Sequence, residues 1–335
     1  MWVPFINLRG EGEGAMSQAS NNPFKYSLDN KRYHTYNYYL NQRFGKKCAK
    51  ITLDLGFSCP NIDGTRGFGG CIYCLSGSAS QSCRSVPSLN EQYERGIEIA
   101  SQKWSVDSFI PYMQAYSNTH TSPDKLRKIL DEVADLRGAV MIDIATRADC
   151  LEDEKLLIIN ELSKRIPVTI ELGLQSASDK TAEIINRQHS YAELECCVKR
   201  IRELARDVKI GIHIINGLPS EGHADMMYTA RCVASLHPDL VKIHLLHVLE
   251  GTVLAQMYKN GEYEPMQRQD YINIVCDQLE VLPADIVIER VTGDGIASEL
   301  LAPEWSKKKV TVINDIDKEL FRRGSYQGVY ADIAK

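Results

Sequence analysis

Six short runs rich in apolar and β-branched residues recur along the chain, and each has the length of a buried strand. They cover residues 51–57, 109–116, 139–145, 168–174, 208–215 and 240–248. Between them, apolar positions recur at helical spacing, as in 123–133 and 153–162, which predicts amphipathic helices. The strand starts fall roughly 30–60 residues apart, the rhythm of βα units joined by right-handed crossovers. The pattern predicts an α/β fold, either a partial or full barrel or a doubly wound sheet.

Polar side chains occupy one face of several predicted strands. In the fourth run, the two-residue period of a strand places Glu171, Gly173 and Gln175 on a single face. His213 in the fifth run and His244 in the sixth alternate with apolar neighbours in the same way. Polar groups inside a sheet are costly without partners, so they either form an internal hydrogen-bond network or line a cavity that holds a ligand. Taken together, the set favours the cavity.

A glycine-rich segment with three cysteines follows the first predicted strand. Cys59, Cys71 and Cys74 stand in the spacing C-x11-C-x2-C. In α/β folds the loops at the carboxyl ends of strands carry the chemistry, and clustered thiolates suit a soft metal or an iron–sulfur cluster. A structural disulfide or three unrelated buried thiols are the alternatives at this point.

Composition narrows the class of protein. The chain has 335 residues, of which 44% are hydrophobic, 25% are charged and ten are cysteines, and its formal net charge is −5. So few cysteines argue against a secreted disulfide scaffold, and no apolar run approaches the ~20 residues of a membrane span. The amino terminus lacks the features of a signal peptide. We therefore expect a cytoplasmic protein with no membrane partner, and one that does not coat nucleic acid.

The first part of the chain is predicted to lie outside the folded core. Residues 1–30 are polar and predict a poorly ordered tail. The Gly- and Glu-rich stretch before Met16 suggests that native translation starts at Met16. The following segment, 32–44, is aromatic and basic, and it could form a capping helix, a lid or a strip on which nucleotide bases stack.

Several short segments resemble those of radical S-adenosylmethionine (radical SAM) enzymes, in particular the bacterial YhcC/YtqA-type subgroup. They are residues 59–65, 69–74, 144–147, 171–176, 216–219, 242–247 and 289–295. The resemblance implies an α/β fold, a partial (β/α)6 TIM-like barrel of the radical SAM type. It implies a core over residues 31–281 and a small C-terminal extension over 282–335, similar to that of the Elongator catalytic subunit. The first cysteine gap is longer than the usual C-x3-C-x2-C, as in Elongator.

The resemblance also implies the cofactors. Cys59, Cys71 and Cys74 would hold three irons of a 4Fe-4S cluster, and the fourth iron would bind the amino and carboxylate groups of S-adenosylmethionine. Cys48 and Cys83 are the nearest further thiols, and both are more typical of small buried residues.

Other binding residues carry over one by one. Tyr73 resembles the aromatic residue beside the adenine, although simple packing is an alternative. Gln175 matches a position that contacts the SAM ribose. Arg187 matches an arginine that binds the SAM carboxylate, although a solvated helix arginine is the alternative. Asn118 lies where many members have a Gly-Gly-Glu turn for the amino group, and His213 lies where a related subgroup has a ribose-binding Asp.

The function implied is reductive cleavage of S-adenosylmethionine to a 5′-deoxyadenosyl radical, which abstracts hydrogen from an unidentified substrate, for which RNA or tRNA is one candidate. A flavodoxin- or ferredoxin-like protein would be the external one-electron donor. A radical enzyme acting on a small molecule or peptide is one alternative, and a non-catalytic SAM- or tRNA-binding scaffold that keeps the cluster for stability is another. A structural zinc module is disfavoured because no fourth ligand lies at zinc-finger spacing.

Overall fold

The computed structural model describes residues 22–75, 88–293 and 298–331. Its strands are β1 (Ala49–Leu53), β2 (Phe109–Met113), β3 (Ile142–Thr146), β4 (Val168–Gln175), β5 (Lys209–Asn216), β6 (Leu240–Leu245), β7 (Val248–Leu249), β8 (Val287–Arg290) and β9 (Leu300–Ala302). The first helices are α1 (Tyr36–Phe44), α2 (Leu89–Ser101), α3 (Pro123–Ala134), α4 (Asp153–Ser163) and α5 (Asp179–Ile184). They are followed by α6 (Tyr191–Leu204), α7 (His223–Leu236), α8 (Val253–Lys259), α9 (Arg268–Val281) and α10 (Lys309–Arg322).

Seven parallel strands form the main sheet, in the order β1-β2-β3-β4-β5-β6-β8. From β1 to β6 each strand pairs with the next one along the chain, and β8 pairs with β6. Successive βα units therefore add to the same edge, and the sheet curls into a partial barrel. This confirms the predicted α/β partial barrel and excludes a doubly wound sheet, whose strand order reverses. The small β7 and β9 pair antiparallel beside it.

The helices begin where the sequence supplies capping residues. Ser122 accepts a hydrogen bond from the first turn of α3, with Pro123 directly after it. Ser190 and Glu193 form a reciprocal capping box at the start of α6. Along α3, Leu126, Leu130 and Val133 are buried, and the helix packs this apolar stripe towards the sheet. Among the described residues, no helix is long and apolar enough to cross a membrane.

Three strand boundaries differ from the predicted ones. β1 ends at Leu53 rather than at residue 57, because the Gln92 side chain binds both the N–H and the carbonyl of Asp54. β2 ends at Met113, and Tyr116 adopts a left-handed φ of 60°. The sixth predicted run splits into β6 and β7. β8 was not predicted, because a run of four residues is too short to be recognised as a strand by its pattern.

The aromatic segment before β1 caps the barrel. Tyr33 is buried, and Thr35 forms a parallel bridge with Ile288 of β8. The Tyr36 hydroxyl donates to the Asp143 carboxylate at 3.3 Å. Because α1 leads directly into β1, it covers the amino-terminal end of the strands. For residues 32–44, the capping helix is therefore the interpretation that fits this position, rather than the lid or the base-stacking strip.

Candidate active site at the carboxyl ends of the strands

The loop between the first two cysteines folds into a compact hairpin. The carbonyl oxygen of Cys59 accepts from the N–H groups of Ile62 and Asp63, at 2.8 and 3.1 Å. Asp63 and Phe68 then form an antiparallel bridge. These contacts fold the eleven intervening residues back on themselves, so the long first gap returns the chain to the start of the loop.

Gly70 closes this hairpin directly before the second cysteine. Its N–H donates to the carbonyl of Asn61 at 2.8 Å, and its φ is +74°. A left-handed backbone here favours glycine. The turn places Cys71 against the first part of the loop.

The three predicted ligand thiols are free and line one cavity. Cys71 is buried, Cys59 is half-buried and Cys74 is exposed, and none forms a disulfide. Although Cys74 is exposed as a residue, desolvation of its sulfur, together with the nearby Cys71 and Cys59 thiols, raises the pKa of Cys74 to about 11 against the opposing effect of Arg187. A thiol with so high a pKa stays protonated at neutral pH unless a metal cation supplies compensating charge. The disulfide alternative does not apply.

The cavity has a volume of about 230 Å³ and is bounded by the cysteine loop and by the carboxyl-terminal halves of the barrel strands. Of the predicted site residues, it brings together Cys59, Cys71, Tyr73, Cys74, Gln175, Arg187 and His213. The inward polar faces of β4, β5 and β6 line it as expected. The cavity and the internal network were the two interpretations of these faces. Both hold in part, because the more deeply buried residues form an ionic network.

Arg187 is buried beside the cysteine loop, so it is not a solvated helix residue. Its Nη2 donates to the Gly173 carbonyl at 2.5 Å, and its Nη1 lies 3.9 Å from the Cys71 sulfur. Its Nε is buried and has no hydrogen-bond partner among the described residues. An unpartnered buried N–H on a guanidinium is costly, and it suits a bound carboxylate.

Arg147 holds Arg187 in place. Its guanidinium forms a two-bond pair with the Asp149 carboxylate, both bonds at 2.8 Å. It also donates to the Arg187 carbonyl at 2.9 Å. The sequence interpretation included the segment around Arg147 but assigned it no role. An Arg-x-Asp pair directly after β3 was the available signal.

Gln175 ends β4 at a register irregularity, with a left-handed φ of 76°. It lies close to Gly173, where an added Cβ would come within 2.6 Å of the Gln175 Nε2 and 3.0 Å of the Arg187 Nη2. Only glycine leaves room for both side chains at this point. The strand end therefore presents an amide and a guanidinium side by side towards the cavity.

Asn118 is buried, and its side-chain amide donates to the carbonyls of Met113 and Ala145, both at 2.9 Å. It thereby ties the end of β2 to β3. Asn118 is not among the residues that line the cavity, whereas the adjacent Ser117 is. The predicted contact of Asn118 with the SAM amino group stays a prediction.

His213 lies deeper, with its Nε2 2.9 Å from the Glu171 carboxylate. Burial lowers the pKa of His213, and the Lys242 ammonium lowers it further, against the opposing effect of Glu171. The ring lies 5.4 Å from that of His244. The predicted ribose contact of His213 stays a prediction.

Below the cavity, buried charges fill the barrel interior in a network that the sequence analysis missed. The Lys50 ammonium lies 2.7 Å from Asp143 and 2.8 Å from Glu171, and it also contacts Glu289. Lys242 contacts Glu171 and lies 3.0 Å from Glu289. Lys50 and Lys242 are charged residues within or directly beside apolar strand runs, which was a local signal, but their pairing with Glu171 depends on the fold of the sheet.

The three carboxylates of this network lie close enough together to bind a metal ion, but the Lys50 ammonium already lies among them. Burial raises the pKa of Asp143 to about 6, against the opposing effect of Lys50. Although burial opposes it, Lys242 and Lys50 hold the pKa of Glu171 well below its usual range. Glu171 and Lys242 of this network also line the cavity, so the network forms its inner end.

The residues at the cysteine end fit an iron–sulfur cluster with SAM. Three reduced thiols lie on one cavity, one of them needing a cation to ionise, and a buried guanidinium N–H beside them lacks a partner. Cys48 donates to the Lys46 carbonyl and packs away from this cavity, so it is not a fourth ligand. Cys83 lies outside the described residues.

Comparisons with known proteins agree with this arrangement. The YtqA protein of Bacillus subtilis is 42% identical over 92% of this chain and 96% of its own length. The tRNA uridine(34) acetyltransferase of Methanocaldococcus infernus is 27% identical over 59% of this chain and 36% of its own length. The structure of the M. infernus protein Elp3 superposes with a TM-score of 0.62 at 16% identity, covering 84% of this chain and 64% of that one.

Two family models match the chain. The C-terminal domain that accompanies radical SAM domains matches residues 238–322, and the radical SAM superfamily matches residues 63–233. Enzymes of this family bind a 4Fe-4S cluster and S-adenosylmethionine and take their electrons from an external donor. Together with the strongly similar YtqA protein, these matches show that the chain belongs to the radical SAM superfamily and is a radical SAM enzyme.

Proposed function

We propose that this enzyme cleaves S-adenosylmethionine reductively and uses the resulting radical to abstract a hydrogen atom from a substrate held in the barrel cavity. The observation that carries the proposal is the placement of three free thiols and the buried Arg187 on one cavity. When bound, the cluster would supply the electron that breaks a C–S bond of SAM, and SAM would supply the 5′-deoxyadenosyl radical. The electron donor would be a flavodoxin- or ferredoxin-like protein.

In this proposal the chain's own residues bind and orient SAM. Cys59, Cys71 and Cys74 hold three irons and leave one open. Arg187 binds the carboxylate through its unpartnered Nε, and Gln175 contacts the ribose from the end of β4. Asn118 is assigned to the amino group and His213 to the ribose on the basis of the resemblance alone.

Tyr73 is proposed to pack beside the adenine. It lies between two of the ligands and lines the cavity. Burial raises the pKa of Tyr73 well above its usual value, and the neighbouring Cys71 adds to the shift. The ring therefore stays neutral and offers an apolar face to a base.

The proposed activity is tested by anaerobic reconstitution with iron and sulfide, followed by dithionite and SAM. We expect 5′-deoxyadenosine to form with the native chain and to fall to background in Cys71→Ala. Cys48→Ala is the matched control, since that thiol lies away from the cavity, and it should keep activity. A native chain no more active than Cys71→Ala would contradict the proposal. SAM binding without cleavage would favour the non-catalytic scaffold.

For the substrate we propose tRNA. The support is the relative named as a tRNA uridine(34) acetyltransferase and the similarity in fold to Elp3. The aromatic segment 32–44, which the sequence offered as a base-stacking strip, is engaged at the amino-terminal end of the barrel, where the Tyr36 hydroxyl donates to Asp143.

Binding of unmodified tRNA to the reconstituted protein tests this choice of substrate. Phosphate contacts release counterions, so affinity should fall steeply between about 50 and 200 mM salt. We expect tRNA to increase 5′-deoxyadenosine formation as well. Binding that is weak and insensitive to salt would instead favour a small-molecule or peptide substrate.

A further inference from the structure

We propose that Asn61 donates a hydrogen bond from its side-chain amide to the Cys71 sulfur and thereby raises the reduction potential of the cluster. Asn61 would act as a positioning residue that tunes the metal centre without binding it. The inference rests on the proposed function, because it requires Cys71 to be a cluster ligand.

The amide of Asn61 lies between two acceptors. The residue is fully buried, and its Nδ2 lies 2.5 Å from the Asn186 carbonyl oxygen and 3.6 Å from the Cys71 sulfur. A side-chain amide has two N–H groups. One can therefore serve the carbonyl while the other serves the sulfur.

The surrounding contacts fix the orientation of this amide. Reversing it would place the Asn61 Oδ1 against the Asn186 carbonyl oxygen, and two acceptors would then face each other. The Gly70 N–H donates to the Asn61 carbonyl at 2.8 Å, and the Asn186 side chain donates to the Gly70 carbonyl at 2.7 Å. These bonds close a ring that holds the donor on the sulfur.

The three thiols are not equivalent in this respect. Besides Asn61, the Arg187 Nη1 approaches the Cys71 sulfur, at 3.9 Å. From the described part of the chain, no N–H donor reaches Cys59 or Cys74. Hydrogen bonds to cluster sulfurs are one of the levers that set the potential of an iron–sulfur centre. They favour the reduced form because its sulfurs carry more negative charge.

Asn61→Leu and Asn61→Asp test the inference in the reconstituted holoprotein. Leucine removes the donor at similar volume, and aspartate removes it and adds negative charge. Potentiometric titration followed by electron paramagnetic resonance (EPR) should give midpoints more negative than wild type, with Asn61→Asp the lower of the two. Asn260→Leu controls for the substitution itself, since Asn260 is exposed at the end of α8 and its side chain pairs with Glu262 and not with sulfur, and it should keep the wild-type midpoint.

Iron and sulfide content decides how these values are interpreted. An iron-replete Asn61→Leu variant with the wild-type midpoint would overturn the inference. A wild-type chain that assembles no cluster through its three cysteines would instead overturn the proposed function, so the two failures are distinguishable.

A second measurement covers the case in which the variants lose iron. Wild-type protein containing asparagine labelled with ¹⁵N at the side-chain amide should show a weak ¹⁵N coupling to the reduced cluster in pulsed EPR. The Asn186 amide donates to carbonyl oxygens, so it does not account for such a coupling. Absence of the coupling would show that no side-chain amide bonds to a cluster sulfur.

Discussion

At the scale of single residues, buried polar atoms that lack partners among the described residues occur in the cavity and beside it. The Arg187 Nε and the His189 Nδ1 are two of these atoms. Both residues follow α5, where Asn186 turns the chain through a left-handed φ of 55°. Such atoms are costly in an isolated chain, and a ligand with carboxylate oxygens would give Arg187 a partner.

His189 should make the protein sensitive to acid. Burial, together with the Arg187 and Arg147 guanidiniums, lowers the pKa of His189 to about 3. Between that value and about 6.5 the unfolded chain binds a proton here that the folded chain does not. The free energy of unfolding therefore falls as pH drops through this window, by up to about 1.4 kcal/mol per pH unit for this residue.

Urea unfolding of the cluster-free protein at pH 7.5, 6.5 and 5.5 measures this effect. His189→Gln should lose stability less steeply with falling pH than wild type, because glutamine does not titrate. His223→Gln, at an exposed histidine, controls for loss of a histidine as such. Equal slopes for wild type and His189→Gln would show that burial of the ring does not exclude its protonation.

At the scale of elements, each strand of the main sheet separates two environments. Ile51 and Leu53 of β1 are buried in the main hydrophobic core, whereas Lys50 points into the barrel interior towards Asp143 and Glu171. The alternation predicted this division for the polar faces of β4, β5 and β6. It did not predict that β1 would end at Leu53, because that boundary depends on the Gln92 side chain, 38 residues from Asp54 in sequence.

Removing the Lys50 ammonium should destabilise the barrel strongly. In Lys50→Met three buried carboxylates lose a shared partner, and breaking a buried ion pair from one side costs about 3–5 kcal/mol. Lys46→Met is the matched control, because the Lys46–Asp107 pair is exposed and exposed ion pairs contribute little to stability. Chemical denaturation measures both, and similar losses in the two variants would show that the network is solvated.

At the scale of the whole molecule, the residues proposed to bind the cofactors lie at one end of the barrel, and the other end is covered. The cysteine loop and Arg187 lie at the carboxyl ends of the strands, and α1 covers the amino-terminal end. β8 comes from the predicted C-terminal extension and pairs with β6. The division at residue 282 stays a prediction, as do the poorly ordered tail and the start at Met16, which concern residues largely outside the described ranges.

Much of this arrangement was accessible from sequence because local patterns determine it. The βα rhythm predicted an α/β fold that was either a barrel or a doubly wound sheet, and the resemblance to radical SAM enzymes implied the partial barrel. The polar strand faces predicted the cavity. The ionic network and the Arg147–Asp149 pair were not predicted. They depend on which strands lie level with one another, and a single sequence does not encode that register locally.

The central claim is that three cysteines bind three irons of the cluster and leave the fourth iron for SAM. The most direct test is electron–nuclear double resonance of the reduced, reconstituted protein with SAM labelled by ¹⁵N at the amino group and ¹⁷O at the carboxylate. We predict couplings from both labels, and their loss in Cys71→Ala along with the cluster. A fully loaded cluster that shows neither coupling with SAM bound would contradict the account.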